Sequence, residues 1–392
     1  MPPVYRFAPS PTGYIHIGNA RTALWNALLA KKRAGTFILR FDDTDRERSK
    51  PEYVEAIIED LGWLGIVPDR IEHQAARVDR YGAALEGLKA RRLVYPAYES
   101  AEELERKRKR QQARGLPPVY DRAALKLTAG DHARLEAEGR HPHWRFRLSG
   151  ETVRWQDGIR GESHIETTSL SDPVLVRADG TVLYTFASVV DDRDMGVTDI
   201  LRGEDHVANT AVQIELFRAL GAEPPRFSHH NLIVAAGGEE MSKRTGALSI
   251  RSFRAEGADP LAVAIVATLT GTSEPVRPLP DLAALADLLD EPKLSRALTK
   301  FQPDEIRDLS ARLLHARPFS AVAPALAAMG IADERAEAFW GAIHGNVARI
   351  EEARDWWGIL AGERHFAVDD ADFLAEAAAC LPEEPFDAAT WP

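Results

Sequence analysis

VYRFAPSPTGYIHIG, residues Val4 to Gly18, is the stretch whose reading decides the fold. Val4, Tyr5, Phe7 and Ala8 have strand propensity, and Pro9, Ser10, Pro11, Thr12 and Gly13 stop the strand with turn residues. Beyond His16 and Gly18 a helix is predicted: Leu24, Trp25, Leu28 and Leu29 recur at helical spacing, Lys31 to Arg33 sit in its last turn, and Gly35 is placed to end it. His16 and Gly18 then stand at a helix N-terminus. Free backbone N–H groups and the positive end of the helix dipole make that end a place for phosphate oxygens, and the His16 imidazole can add a further donor.

Working outward, Thr36 to Phe41 is an apolar strand that ends in Asp42, Asp43 and Asp45. Strand, helix and strand in so short a span form a βαβ unit, hence a parallel sheet with its ligand at the strands' C-terminal edge. Carboxylates at that edge can hold Mg²⁺ or an ammonium, or can simply cap and turn the backbone; Asp42, at the strand end, is the better ligand candidate. Ser49 and Glu52 have capping-box spacing around Pro51, before a helix through Leu64 with Val54, Ile57, Ile58 and Leu61 as its apolar positions.

Ser100 and Glu103 cap a further helix, running to Gly115, that contains the consecutive basic residues Arg106, Lys107, Arg108, Lys109 and Arg110. Such a run is either a solvated face or a phosphate-binding one. Trp144 to Phe186 is strand-rich, with Asp157-Gly158 and Asp179-Gly180 as hairpin turns. Val197 to Leu220 then gives strand, loop and helix, and Phe227 to Val234 another strand. In AAGGEEMSKRTG, glycines at 237, 238 and 246 flank Ser242, Lys243 and Arg244, a loop whose cations can close over a polyphosphate. After Ser249 the pattern is helical, broken by the Pro-rich link Ser273 to Pro280.

With 392 residues, 45% hydrophobic and 28% charged, the chain has the composition of a globular protein of two or three domains. Its apolar runs fall short of the roughly 18 residues of a membrane span, there is no signal-peptide pattern, and we expect a cytoplasmic protein. The single cysteine, Cys380, excludes an internal disulfide and a thiolate zinc cluster, and the adjacent His229 and His230 lack a metal-ligand pattern. A net charge of -11 argues against nucleic acid only on average, because carboxylates crowd the stretch from Ala361 to Pro392 while the basic run lies elsewhere.

The string RFAPSPTGYIHIG, paired with the later SKR, resembles the two signatures of class I aminoacyl-tRNA synthetases in their glutamyl form. The resemblance implies an α/β, Rossmann-type catalytic domain in two halves, 1–96 and 184–250. An α+β acceptor-binding insertion over 97–183, a stem-contact region over 251–303 and an α-helical anticodon-binding domain over 304–392 complete it. The ending at Trp391-Pro392 leads us to expect that last module to be truncated or absent. The implied reaction uses ATP and Mg²⁺ to join L-glutamate to tRNA through glutamyl adenylate, in an enzyme expected to be a monomer.

By the same resemblance, His16, Gly18 and Lys243 are the catalytic residues, and Ser10, Glu204, Ser242 and Arg244 join them in holding ATP. Arg6, Ala8, Ser10, Asp42, Tyr184, Ser188 and Arg202 would bind glutamate, and Arg106 to Arg110 the tRNA; no side chain is assigned to a metal. Asp205 and His206, in the same RGEDH loop as Glu204, face the nucleotide or the substrate's edge. An Arg at both 6 and 202 favours glutamate over glutamine, because a guanidinium pairs with a carboxylate and is left unpaired against an amide.

This chain departs from the family at Asp42 for Glu, Ser188 for Asn and Glu240 for Lys, and Asp42 is expected to reach the substrate's amino group through water. Two alternatives stay open: glutamyl transfer to a modified tRNA base, against which the long continuation after the SKR loop argues, and a non-catalytic tRNA-binding module. Glutamine tRNA as a second partner is also left open.

Overall fold

The computed structural model describes residues 2–235, 248–361 and 371–380. The chain divides into two compact units, Met1–Leu313 and Leu314–Pro392.

The first unit is built on a parallel sheet. β1 (Val4–Phe7) leads through α1 (Ile17–Lys32) to β2 (Thr36–Phe41), and α2 (Pro51–Trp63) leads to β3 (Arg70–His73). After α3 (Val78–Ala90) an insertion follows: β4 (Val94–Ala97), α4 (Ala101–Ala113), α5 (Ala129–Ala137), β5 (His143–Phe146), the hairpin β6 (Thr152–Asp157) and β7 (Gly161–Glu166), and β8 (Val174–Val176). The chain returns through α6 (Tyr184–Asp194), β9 (Asp199–Gly203), α7 (Val207–Ala219), β10 (Arg226–His230) and β11 (Ile233–Ala235). The main sheet has the order β10-β9-β1-β2-β3, all parallel, and β4-β5-β8 form a separate antiparallel sheet.

Tyr5, Phe7, Phe37, Leu39, Phe41 and Leu201 bury one sheet face under α1 and two later helices, α8 (Ile250–Ala255) and α9 (Pro260–Leu269). Ile38, Ile200 and Phe227 bury the other face under α3, α6 and α7. Helices on both faces explain why apolar residues from both sides of these strands are buried.

Several sequence expectations needed correction. The helix after Ser49 starts one residue later than the capping box requires: Lys50 is the N-cap, without a side-chain cap bond, and Pro51 is the first helical residue. Proline's fixed φ suits that first position, and this outweighs the Ser49–Glu52 spacing. Ile58 lies 37% exposed on this helix, whereas Ile57 and Leu61 are buried. At the end of α1 the left-handed residue is Ala34 (φ 50°), not Gly35, in a turn closed by Ala34 N–H to Lys31 O and Gly35 N–H to Ala30 O. The expected strand from Phe227 to Val234 is two strands, since Asn231 turns its amide to Ala297 O at 2.6 Å and Thr299 Oγ1 at 2.7 Å. β11 then pairs with β12 (Thr299–Phe301). Phe186, expected among strands, is helical. The Ser100–Glu103 capping box of α4 and the turns at Asp157 and Asp179 form as expected.

Within the first unit, α10 (Leu282–Leu288) follows the Pro-rich link, and α11 (Pro303–His315) reaches the boundary. The second unit contains α12 (Phe319–Ala328), α13 (Ala336–Ile343), α14 (Ala353–Ala361) and α15 (Ala371–Ala379), with Val322, Leu326, Phe339, Trp340, Ile343 and Val347 in its core.

Asp60, on the buried side of α2, has both carboxylate oxygens without a hydrogen-bond partner among the described residues, and burial pushes its pKa from 3.8 up to about 6. A folded-state pKa above the unfolded value means that ionisation opposes folding. The penalty is absent below the unfolded pKa, grows as pH rises, and is complete above the folded pKa, at roughly 2–3 kcal/mol. Asp60→Asn should therefore be more stable than the parent in urea denaturation at pH 7.5, with an advantage that vanishes near pH 4. An advantage equal at both pH values would contradict this reading.

Candidate active site

β1 connects to β2 through α1 on one face of the sheet, and β9 connects to β10 through α7 on the other, so the connections part between β1 and β9. Open parallel sheets bind ligands in the crevice at such a switch point. A cleft of about 440 Å³ lies there, lined by Arg6, Ala8, Ser10, His16, Gly18, Arg21, Tyr184, Arg202, Asp205, His206 and His230 among others.

On one side of this cleft, His16 is the N-cap of α1. Gly18 N–H donates to His16 Nδ1 at 3.1 Å, and His16 N–H donates to Asn19 Oδ1 at 3.3 Å. Burial lowers the His16 pKa, so the ring is neutral at physiological pH. An Nδ1 that accepts leaves the proton on Nε2, as a donor. The glycine at 18 fits this arrangement closely, for a Cβ there would stand 3.0 Å from His16 Cε1.

Three arginines define the other side. The parallel registers put Arg6 opposite Ile38 and Tyr5 opposite Asp199, so the two-residue alternation of a strand places Arg6, Arg40 and Arg202 on one face of three adjacent strands. All three are buried, but they are not equivalent. Arg40 bonds Asp42 at 2.7 Å and Asp192 at 2.6 Å. Burial alone would lower its pKa, yet the carboxylates of Asp42, Asp192 and Asp191 raise it well above the usual value. Arg6 reaches Asp192 at 3.3 Å. Burial pushes the Asp192 carboxyl up, but Arg6 and Arg40 outweigh it and hold it below the usual range.

Among the described residues, the partners of Arg202 are all neutral. Its Nε–H donates to His229 Nε2 at 3.2 Å, Nη1 to the Tyr184 hydroxyl at 3.5 Å, and Nη2 to Thr210 Oγ1 at 2.8 Å and His206 O at 3.4 Å. Among the described residues no carboxylate lies within ion-pair distance of it, and burial lowers its pKa. A carboxylate entering this part of the cleft meets a guanidinium that is already desolvated and oriented.

The structure thus brings Arg6, Ala8, Ser10, His16, Gly18, Tyr184 and Arg202 to one cleft. Asp42 and Ser188 are not on its wall: Arg40 takes the Asp42 carboxylate and donates to Ser188 Oγ at 3.0 Å. Glu204 turns aside to Arg160 at 2.7 Å, whereas Asp205 and His206 line the cleft. Asp43 accepts from Ala75 N–H at 2.7 Å, just past β3, and Asp45 pairs with Arg48, so neither lines the cleft. Ser242, Lys243 and Arg244 lie outside the described residues. The basic run occupies successive positions of α4 and so points around the helix rather than along one face. Lys107 pairs with Glu99 and Asp121, and Arg108 with Glu105, while Arg106 and Arg110 border a hollow of about 380 Å³ with Arg140.

Sequence reasoning missed Arg21, Arg40, Asp192, His229 and His230 as parts of this site. Arg40 had a signal, being the charged residue inside an otherwise apolar strand. Arg21 donates to Thr270 O and Asn231 Oδ1, contacts distant in the chain that no local pattern announces. His230 is fixed by Thr22 at 2.9 Å, and burial lowers its pKa to about 3.

A family model described as tRNA synthetases class I (E and Q), catalytic domain, matches residues 4–304, and the chain belongs to that family. The relatives point to one branch of it. "Glutamate--tRNA ligase 2" of Methylorubrum populi is 57% identical over 389 residues, covering 99% of this chain and 87% of the relative. "Glutamate--tRNA ligase 1" of Brucella canis is 54% identical over 400 residues, covering 98% and 88%. Among solved structures, a glutamate tRNA ligase from Elizabethkingia meningosepticum in complex with its amino acid aligns with a TM-score of 0.84 at 27% identity, covering 97% of this chain and 84% of that one. The family expected from the two signatures, and the α/β fold it implied, are the ones found.

The two roles of His16 can be separated. His16→Asn keeps a good N-cap but removes the Nε2 donor, and should lower aminoacylation roughly 100-fold with little change in thermal stability. His16→Ala should lose the same activity and about 1 kcal/mol of stability as well. Full activity in the Asn variant would show that the imidazole serves only the helix.

Proposed function

We propose that this chain joins L-glutamate to tRNA in two steps, with the glutamate side-chain carboxylate against Arg202 and the ATP phosphates at the N-terminus of α1. The observation that carries this reading is the pairing in one cleft of a helix N-terminus bearing a neutral His16 donor with a buried Arg202 that has no carboxylate partner among the described residues.

In the first step an oxygen of the glutamate α-carboxylate attacks the ATP α-phosphorus in line, and the bond to the pyrophosphate oxygen breaks. In the second, a hydroxyl of the tRNA's terminal adenosine attacks the acyl carbon, and AMP leaves. No protein nucleophile is required, so the side chains act by position and charge. His16 Nε2–H and the first N–H groups of α1 stabilise negative charge on the phosphates. Val234 lines the cleft, and Ile17 N–H to Leu248 O and Ile250 N–H to Ile15 O tie the far end of the SKR stretch beside His16. The chain between these anchors carries Ser242, Lys243 and Arg244, and we assign Lys243 to the phosphates with Ser242 and Arg244 beside it.

Mg²⁺ fits this site as an ion held chiefly by the triphosphate, with Asp205 as the carboxylate on the cleft wall; it would supply charge neutralisation there. Residues 97–183 are assigned as the acceptor-binding insertion, with Arg106 to Arg110 on α4 contacting tRNA phosphates, 251–303 as the stem-contact region and 304–392 as the anticodon-binding domain. The reading includes a monomer acting in the cytoplasm; no helix among the described residues is long and apolar enough to cross a membrane.

Labelled glutamate should appear as acid-precipitable counts on purified glutamate tRNA in the presence of ATP, and the same assay on glutamine tRNA decides the breadth of tRNA choice. Binding of tRNA without charging would contradict the reading. Arg202→Ala should raise the KM for glutamate roughly 100-fold or more and abolish its preference over glutamine, because the guanidinium separates a carboxylate from an amide of nearly the same shape. Unchanged selectivity would remove Arg202 from the substrate site.

A further inference from the structure

The turn of the β6–β7 hairpin reaches from the insertion to the back of Arg202. Asp157, at the end of β6, accepts with Oδ1 from the backbone N–H groups of Ile159 and Arg160, each at 3.0 Å, and of His229 at 3.2 Å. Its Oδ2 lies 2.5 Å from His229 Nδ1. The other ring nitrogen, Nε2, is 3.2 Å from Arg202 Nε and 3.0 Å from Thr210 Oγ1. Asp157, His229 and Arg202 are all buried. The close approach is specified locally, since a Cβ on Gly158 would overlap Ser228 Oγ, beside His229.

Donor and acceptor roles along this chain are forced. A guanidinium N–H can only donate, so His229 Nε2 accepts; an ionised carboxylate can only accept, so His229 Nδ1 carries the proton. We propose that Asp157 and His229 are positioning residues that set the specificity of Arg202: the carboxylate fixes the His229 tautomer, and that tautomer fixes the plane of the guanidinium presented to the substrate's side-chain carboxylate. With Nε spent on His229 and Nη2 on Thr210 and His206, Nη1 is the terminus left for a ligand, beside a hydroxyl that contacts it at 3.5 Å. This inference rests on the assignment of Arg202 to glutamate.

Asp157→Asn is the informative substitution. The three backbone donors hold the amide oxygen in the Oδ1 place, which leaves the NH₂ facing His229 Nδ1. His229 must then move its proton to Nε2, and two donors confront each other at Arg202. A carboxylate-to-amide change that preserves geometry while reversing a histidine tautomer has a large functional effect in serine proteases. In steady-state aminoacylation the KM for glutamate should rise roughly tenfold or more and the preference over glutamine should fall, with the KM for ATP within about twofold of the parent. His229→Gln, which can still offer Arg202 an acceptor, should retain more of the preference than His229→Leu.

Arg202→Ala measured in parallel separates the two claims. If Arg202→Ala raises the KM for glutamate and Asp157→Asn does not, the relay is wrong and the substrate assignment stands; if neither does, the substrate assignment fails first. The wild-type protein gives a test that needs no variant to fold: ring ¹⁵N shifts assigned to His229 should show a protonated Nδ1 and a bare Nε2. A protonated Nε2 would overturn the proposal.

Discussion

Arg202 sits in the protein interior as a cation whose hydrogen-bond partners among the described residues are all neutral, and the rest of the cleft is arranged around that constraint. Burying a charge is costly unless it is paired. Along the same sheet face, Arg40 and Arg6 meet this cost conventionally, through Asp42 and Asp192. Arg202, on the β9 side of the switch point, is held instead by His229, Thr210, Tyr184 and the carbonyl of His206. Its charge is therefore oriented and desolvated before any ligand arrives, which is the condition for strong discrimination between a carboxylate and an amide.

The second half of the site follows from the same topology. β1 ends at the crevice, and its continuation must cross to the N-terminus of α1, so the loop containing Ala8 and Ser10 spans from the arginines to His16. A face of buried arginines and a helix N-terminus are thus set within one cleft by a single βα connection. α1 is in turn held by Trp25 Nε1–H to Thr268 O and by Arg21 Nη1–H to Thr270 O, which fix it to the end of α9. Helix position, and with it the placement of His16, depends on residues far along the chain.

Local patterns carried much of this into the sequence. The strand-loop-helix at Val4 to Gly18 was legible because each part has its own chemistry: apolar strand, Pro-rich stop, cap, periodic helix. The Ser49–Glu52 box was not, because Pro51 competes for the first helical position and wins. Asp42 stands at a strand end, where the sequence predicts a ligand, yet Arg40, two residues earlier and so directed the same way, captures it. The break between β10 and β11 depends on Asn231 bonding Ala297 and Thr299, a contact that no window around Asn231 contains. Asp157 is legible as a turn residue, but its bond to His229 joins residues 72 apart in the chain and leaves no local signal.

Two anchor points for one ligand, Arg202 and the His16 end of α1, are tested most directly by a crystal structure of the protein with a non-hydrolysable sulfamoyl analogue of glutamyl adenylate. The account predicts the side-chain carboxylate within hydrogen-bond distance of Arg202 Nη1, and the sulfamoyl group, standing for the phosphate, near His16 Nε2 and the first N–H groups of α1. A carboxylate bound elsewhere, with Arg202 still facing only its neutral partners, would contradict it.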